Sequence, residues 1–288
     1  MSKLKVSELF YSVQGEGRYM GVPSVFLRVF GCNFTCDGFG MPKGEKSNER
    51  HIIAENISSI TQYRDLPLVH TGCDSYASWD PKFKDLSPVL ETDSIVDTIM
   101  DMLPHKEWRK EHLVITGGEP LLGWQRSYPD LLNHPKMKGL TEITFETNGT
   151  QEISRNFSEY LNDWLAPDDQ TQFENWRELT FSVSPKLSVS GERWEDAIKP
   201  DIVVYYESFG YTYLKFVVAS NEDVAEAEDA VNEYRKAGFK GPVYIMPLGG
   251  VESVYSLNNK NVALMAMKKG WRYSDRLQVP LFKNAWST

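Results

Sequence analysis

Cys32, Cys36 and Cys73 are the only cysteines in the chain. The first two fall in FGCNFTC, directly after the apolar run SVFLRVF, and the third falls in HTGCDSYASW. Thiolates are the ligands of iron–sulfur clusters and of many zinc sites. Three of them would leave one corner of a four-iron cluster without a protein ligand, and an open metal position is where a substrate or cofactor can bind and react. A set of four would read more readily as structural or as an electron carrier. Zinc is a competing reading, because Cys32-x3-Cys36 with His70-x2-Cys73 offers a Cys3His set that the ion accepts tetrahedrally. A third reading takes the thiols as small buried apolar side chains. The last two readings leave the motifs at other strand ends unexplained.

Those motifs are short and polar. ITGGEP (115–120) sets two glycines and Glu119 at a strand end, where a ligand could approach the backbone and an ammonium could meet the carboxylate. A tight turn into a helix opened by Glu-Pro is the plainer account. VSPK (183–186) offers Ser184 and Lys186, or simply a solvated loop lysine. QGEG (14–17) holds an amide and a carboxylate between glycines, or is a polar turn. Arg28 is sharper, since a guanidinium inside an apolar strand needs a partner. That partner is either a structural carboxylate or a bound one.

Strands alternating with helices must position these groups. SVFLRVF (24–30), HLVITGG (112–118), EITFETNG (142–149), ELTFSVSP (178–185), YLKFVVAS (213–220) and VYIMPLG (243–249) read as strands. Helices are predicted over 92–103, within SYPDLLNHPKM, and over 153–165, 221–239 and 260–270. The stretch YSDRLQVPLF reads as a last strand, and roughly 37–91 as a long irregular segment. About six alternations argue for parallel βα units in a single domain, 1–288, without repeats or an interdomain linker. In such folds reactive groups collect at the C-terminal ends of strands. Cys32, Gly117–Glu119, Thr147–Asn148 and Ser184–Lys186 each follow a predicted strand.

At 288 residues and 41% hydrophobic content the chain can build a sizeable core without metal or disulfide. Its net charge of −9 argues against nonspecific binding to nucleic acid or anionic membrane. MSKLKVSELF lacks the apolar core of a signal peptide, and no apolar run reaches the roughly 20 residues that span a bilayer. Three unpaired cysteines then suggest a reducing cytoplasm.

The combination resembles the radical S-adenosylmethionine enzymes and, among them, the 7-carboxy-7-deazaguanine synthases. The likeness rests on FYSVQGEGRYMGVPSVFLRVFGCNFTC (10–36), CDSYASW (73–79), VITGGEPLL (114–122), FETNGT (145–150) and SVSPK (182–186). It implies a partial (β/α)6 barrel with a cluster-binding loop after the first strand, and a [4Fe–4S] cluster on Cys32, Cys36 and Cys73. It implies S-adenosylmethionine against Gly72, Cys73, Asp74, Gly118, Glu119, Ser184, Pro185 and Lys186, and magnesium at Ser75. Val13, Gln14, Gly15, Glu16, Arg28 and Thr116 would meet a pterin, with Arg28 on its carboxylate. The implied reaction contracts 6-carboxy-5,6,7,8-tetrahydropterin to 7-carboxy-7-deazaguanine with loss of ammonia. An electron donor such as flavodoxin and a homodimer also follow from the likeness.

Two departures stand out. The superfamily commonly spaces its cysteines C-x3-C-x2-C, and Phe39 stands where the third would fall. Residues 37–72 would then be an excursion between the second and third ligands, forming an ordered cap that carries Phe39, Met41 and Tyr63. In RLQV (276–279), Gln278 occupies a place where the family can carry a histidine. A glycyl-radical activase remains an alternative, although it should lack the QGEG–Arg28 pair. A zinc-stabilised binding module without catalysis is another.

Overall fold

The computed structural model describes residues 2–166 and 176–288, so Met1 and 167–175 of the 1–288 span lie outside the described residues. Strand β1 (Lys3–Val13) runs antiparallel to β2 (Pro23–Val29) and, at its other edge, to β3 (Val89–Glu91). From β2 onward every added strand is parallel: β4 (His112–Gly117), β5 (Glu142–Thr147), β6 (Glu178–Val183), β7 (Tyr211–Val218), β8 (Val243–Pro247) and the two-residue β9 (Arg272–Tyr273). The order β3-β1-β2-β4-β5-β6-β7-β8-β9 leaves β3 and β9 at opposite edges, so the sheet is open. The parallel run from β2 to β8 is the expected partial barrel.

Helices fill the crossovers: α1 (Glu49–Glu55) lies in the excursion, then α2 (Thr92–Met102), α3 (Tyr128–Leu132), α4 (Arg155–Leu165), α5 (Trp194–Ala197), α6 (Pro200–Tyr206), α7 (Asn221–Lys236), α8 (Glu252–Lys269) and α9 (Gln278–Phe282). The start of α7 is a capping box, in which Ser220 and Asp223 bond each other's backbone N–H. No helix among the described residues is long and apolar enough to cross a membrane.

Side-chain alternation divides the parallel strands between two environments. Ile143, Phe145, Leu179, Phe181, Leu214 and Phe216 point towards the helices and join one large core. Their neighbours Glu146, Ser182 and Lys215 point to the concave face instead. Register then brings the polar groups side by side. Glu8 faces Arg28, Arg28 faces Thr116, and Glu146 faces Ser182. The loop after β1 closes the N-terminal end of this concave face. Arg18 pairs with Glu178 and stacks on Tyr211 at 4.0 Å, while Tyr19 meets His112 edge-on at 4.2 Å.

The structure corrects three expectations about the elements. Strand β1 was not predicted. Helix α8 begins at Glu252 rather than at 260, because its first turns carry Ser, Tyr and Asn, weak helix formers that hide the pattern. The stretch YSDRLQVPLF supplies no long strand. After β9 the chain turns as Leu277 N donates to Gly15 O at 2.9 Å, and residues 278–282 coil with Pro280 in the first turn. A proline at that position suits a helix start and would break a central strand.

The excursion shares a second core with the segment that follows it, built from Tyr63, Leu66, Val69, Tyr76 and Phe83. Its two ends are zipped together, since Gly72 N donates to Phe39 O at 2.7 Å and Ser47 N to Asp37 O at 2.8 Å. Arg50 fastens it to the 73–80 segment: it meets Asp37 at 3.0 Å, pairs with Asp80 and lies over the Trp79 ring at 4.8 Å. Removing one partner from such a largely buried set leaves charges uncompensated, so Arg50→Ala should cost about 3 kcal/mol in denaturant unfolding. Lost amide protection should concentrate in residues 37–72. Unchanged stability and protection would contradict this account of the cap.

Candidate active site

The C-terminal ends of the strands and the loop after β1 surround one cavity. Cys32, Cys36, Cys73 and Ser75 line it, as do Gly72, Asp74, Gly118, Ser184 and Lys186. So do Val13, Gln14, Gly15, Glu16, Arg28 and Thr116. Sequence separations of many tens of residues are thus folded into one wall.

The cysteine loop is held from several sides. Cys36 adopts a left-handed backbone with φ 51°, and Glu192 accepts its N–H at 2.7 Å together with that of Thr35 at 2.9 Å. Gly118 must be glycine here, because an added Cβ would lie 2.7 Å from the Cys32 Cβ. Backbone N–H of Phe34 reaches Cys32 Sγ and the Trp79 indole reaches Cys73 Sγ, both at 3.4 Å. The three thiols pack in one small cluster with Phe34, Phe39 and Ala197. Burial pushes Cys32 up to about 12 and raises Cys36 and Cys73 as well, so thiolates here would need a bound cation to compensate them.

Among the described residues no three His, Cys, Asp or Glu side chains converge closely enough to hold a single metal ion. His70, the fourth ligand of the zinc reading, is exposed beside Glu49 at 3.7 Å. A four-iron cluster makes a different demand, because each cysteine binds its own iron and the sulfurs need not meet at a point. Three thiols on one cavity wall, two of them receiving N–H donors, suit that larger group.

A charged lattice spans the rest of the cavity. Glu16 pairs with Lys215, accepts Arg276 Nε at 3.2 Å and accepts Gln278 Nε2 at 2.9 Å. Arg276 also pairs with Asp74 at 2.5 Å and donates to Gly249 O. Burial alone would raise both carboxyls, but Lys215 and Arg276 hold Glu16 far below the usual range, and Arg276 holds Asp74 down. Gln14 Nε2 donates to Glu146 at 3.1 Å and its Oε1 accepts Glu16 N at 3.0 Å. Gly15 packs so tightly on Gln278 that any side chain would overlap the amide. Arg28 donates through Nε to Glu8 Oε2 at 2.8 Å, which realises the structural pairing while the residue still lines the cavity.

Two expected cofactor residues stand back from the wall. Glu119 is fully buried: Oε1 accepts from Leu121 N at 3.0 Å and Thr147 Oγ1 at 2.8 Å, and Oε2 accepts from Asn148 N at 2.7 Å. It ties the β4 turn to the β5 turn instead of facing a ligand ammonium. Pro185 is likewise buried and does not reach the cavity. Of the three side chains that the cap was expected to carry, Phe39 lines the cavity, Tyr63 sits in the second core and Met41 does neither. Sequence reading missed Glu8, Glu146 and Lys215, although a charge inside an apolar strand is the signal that singled out Arg28. It also missed Asp74–Arg276 pairing and Glu192, for which no local signal exists.

No family model matches the chain. It is 31% identical to the 7-carboxy-7-deazaguanine synthase of Halobacterium salinarum, with 99% of this chain and 93% of that protein covered. It is 25% identical to the protein of that name from Pyrobaculum aerophilum, covering 98% and 96%, and 26% identical to that from Rhodopirellula baltica, covering 100% and 90%. The crystal structure of QueE from Escherichia coli matches with a TM-score of 0.54 at 18% identity, covering 96% of this chain and 94% of that one, a likeness of fold. An open run of parallel strands with three thiols on its strand-end cavity fits the radical S-adenosylmethionine enzymes, the class to which the similarity to these synthases assigns the chain. The chain belongs to the 7-carboxy-7-deazaguanine synthase family.

Glu119 yields a pH test. Burial pushes its carboxyl up to about 7 against the pull of its three donors, from an ordinary value of 4.5. The native state therefore holds a proton that the unfolded chain has released, and this group's contribution to stability falls as pH rises through that window. Glu119→Gln should flatten that part of the profile in urea unfolding between about pH 5 and about pH 7.5. An unchanged slope would contradict the buried, proton-retaining Glu119.

Proposed function

We propose that the chain converts 6-carboxy-5,6,7,8-tetrahydropterin to 7-carboxy-7-deazaguanine. The conversion releases ammonia and needs no net oxidant, since substrate and product differ only by that molecule. The observation that carries the reading is one cavity lined by three thiols together with Arg28 and the Gln14–Glu16 pair. When bound, the cluster and S-adenosylmethionine supply a carbon-centred radical that removes hydrogen from the substrate.

The chain's own residues bind, orient and exclude water. Cys32, Cys36 and Cys73 would hold the cluster. Gly72, Asp74, Gly118, Ser184 and Lys186 would line the S-adenosylmethionine, with Glu119 and Pro185 shaping that wall from behind. Arg28 would clasp the pterin carboxylate, as a planar fork does. Val13, Gln14, Gly15, Glu16 and Thr116 would meet the polar ring. Glu16 suits this role because three donors occupy it, against the roughly four acceptor positions of a carboxylate. Tyr19 and Arg18 seal the far end of the concave face, and the excursion covers the near end.

Magnesium would sit at Ser75, whose hydroxyl lies 3.3 Å from Asp74 Oδ1. Two such oxygens suit an ion that takes few protein ligands and keeps substrate and water. A one-electron donor such as flavodoxin, a cytoplasmic setting and a homodimer complete the reading. The exposed Leu257, Leu264 and Met267 along one stripe of α8 would suit a subunit contact.

An anaerobic assay of the cluster-loaded protein with the carboxypterin tests the proposal. Product and ammonia should form together with wild type, and Arg28→Lys should raise KM about tenfold with the cluster intact, since it keeps charge but loses the fork. Absence of product, or equal turnover of a tetrahydropterin lacking the carboxylate, would overturn it.

A further inference from the structure

Residues 284–288, after α9, contribute to the cavity wall. Asn284 Nδ2 donates to Gly250 O at 2.7 Å. The Trp286 indole donates to Leu66 O at 2.7 Å and stands edge-on to Tyr63 and Tyr76, at 5.1 and 5.8 Å. Its ring thus packs against the second core. One residue on, Ser287 Oγ donates to Glu8 Oε1 at 2.9 Å. The other oxygen of Glu8 accepts Arg28 Nε at 2.8 Å. Glu8 is a nearly inaccessible side chain at 2% exposure, so its orientation rests on these two bonds.

A guanidinium is planar, and fixing its Nε edge fixes where both Nη groups point. Glu8 sets that edge. Ser287 sets Glu8, and Trp286 delivers Ser287 by anchoring its segment to residues 63–76.

We propose that Ser287 is a positioning residue for recognition of the substrate carboxylate, acting through Glu8 on the plane of Arg28. The proposal rests on the reading of Arg28 as that carboxylate's partner. It also gives the excursion a second use beyond covering the cavity, because Trp286 ties that second core to the substrate end.

Cluster-loaded Ser287→Ala, Ser287→Thr, Arg28→Lys and the double variant Ser287→Ala/Arg28→Lys are compared by calorimetry, with S-adenosylmethionine present and no reductant. The probes are 6-carboxytetrahydropterin and tetrahydropterin. Ser287→Ala should weaken carboxypterin binding about fivefold and leave tetrahydropterin binding unchanged, as loss of one hydrogen bond behind a charged pair would. Ser287→Thr should restore binding, and Ser287→Ala should add nothing in the Arg28→Lys background. The proposal is overturned if Arg28→Lys binds the carboxypterin weakly while Ser287→Ala binds it normally, or if Ser287→Ala weakens both pterins equally. If Arg28→Lys itself discriminates between the two pterins as wild type does, the Arg28 reading has failed and the proposal falls with it.

Discussion

Arg276 is the side chain on which the cavity converges. It reaches Glu16 from the loop after β1, Asp74 beside the third cysteine, and the Gly249 carbonyl after β8. Both carboxylates lie hundreds of residues from Arg276 in sequence, and the guanidinium that joins them is buried. Without the guanidinium, Glu16 and Asp74 would be like charges sharing a poorly solvated space, each raising the other. Removing one member of such a set costs far more than a surface pair contributes. The positions of the loop after β1 and of the loop bearing Cys73 are therefore conditional on one another.

The sheet explains how one cavity can be charged on its inside and still belong to a stable fold. Alternation sends Leu113, Ile115, Ile143, Phe145, Leu179, Phe181, Leu214, Phe216 and Ile245 outward to the helices, where they form a continuous core. The inward positions are then free to be polar, provided that each finds a partner. Lys215 finds Glu16, Arg28 finds Glu8, and Glu146 finds Gln14. The excursion solves a related problem. A long detour between Cys36 and Cys73 would separate the two thiols, and the bond between Phe39 and Gly72 returns the chain to its starting point. Closing a loop of this length costs only slightly more than closing a short one, so the insertion is tolerable once its ends are tied.

The parallel strands and the main helices were legible because their periodicities are strong, and the cysteines and strand-end motifs because their chemistry is unusual. Strand β1 escaped because KLKVSELFYSV mixes charges into its alternation, including Glu8, which the fold buries against Arg28. The reading of YSDRLQVPLF as a last strand failed beyond Tyr273 because apolar alternation in RLQVPL imitates a strand while Pro280 forbids one. Glu119 looked like a ligand group since its motif ends a strand, yet its partners Thr147 and Asn148 come from the next βα turn, which no local pattern reveals. Arg276 and Glu192 were illegible for the same reason: their roles are set by partners that only the fold brings near.

The central claim is that Cys32, Cys36 and Cys73, though split by the excursion, serve one cluster. Iron content of anaerobically reconstituted Cys73→Ala measures this most directly. Wild type should hold about four irons per chain, as a single cubane requires, and the variant should lose most of them. A Cys73→Ala protein that keeps its full iron content and turns over would contradict the account.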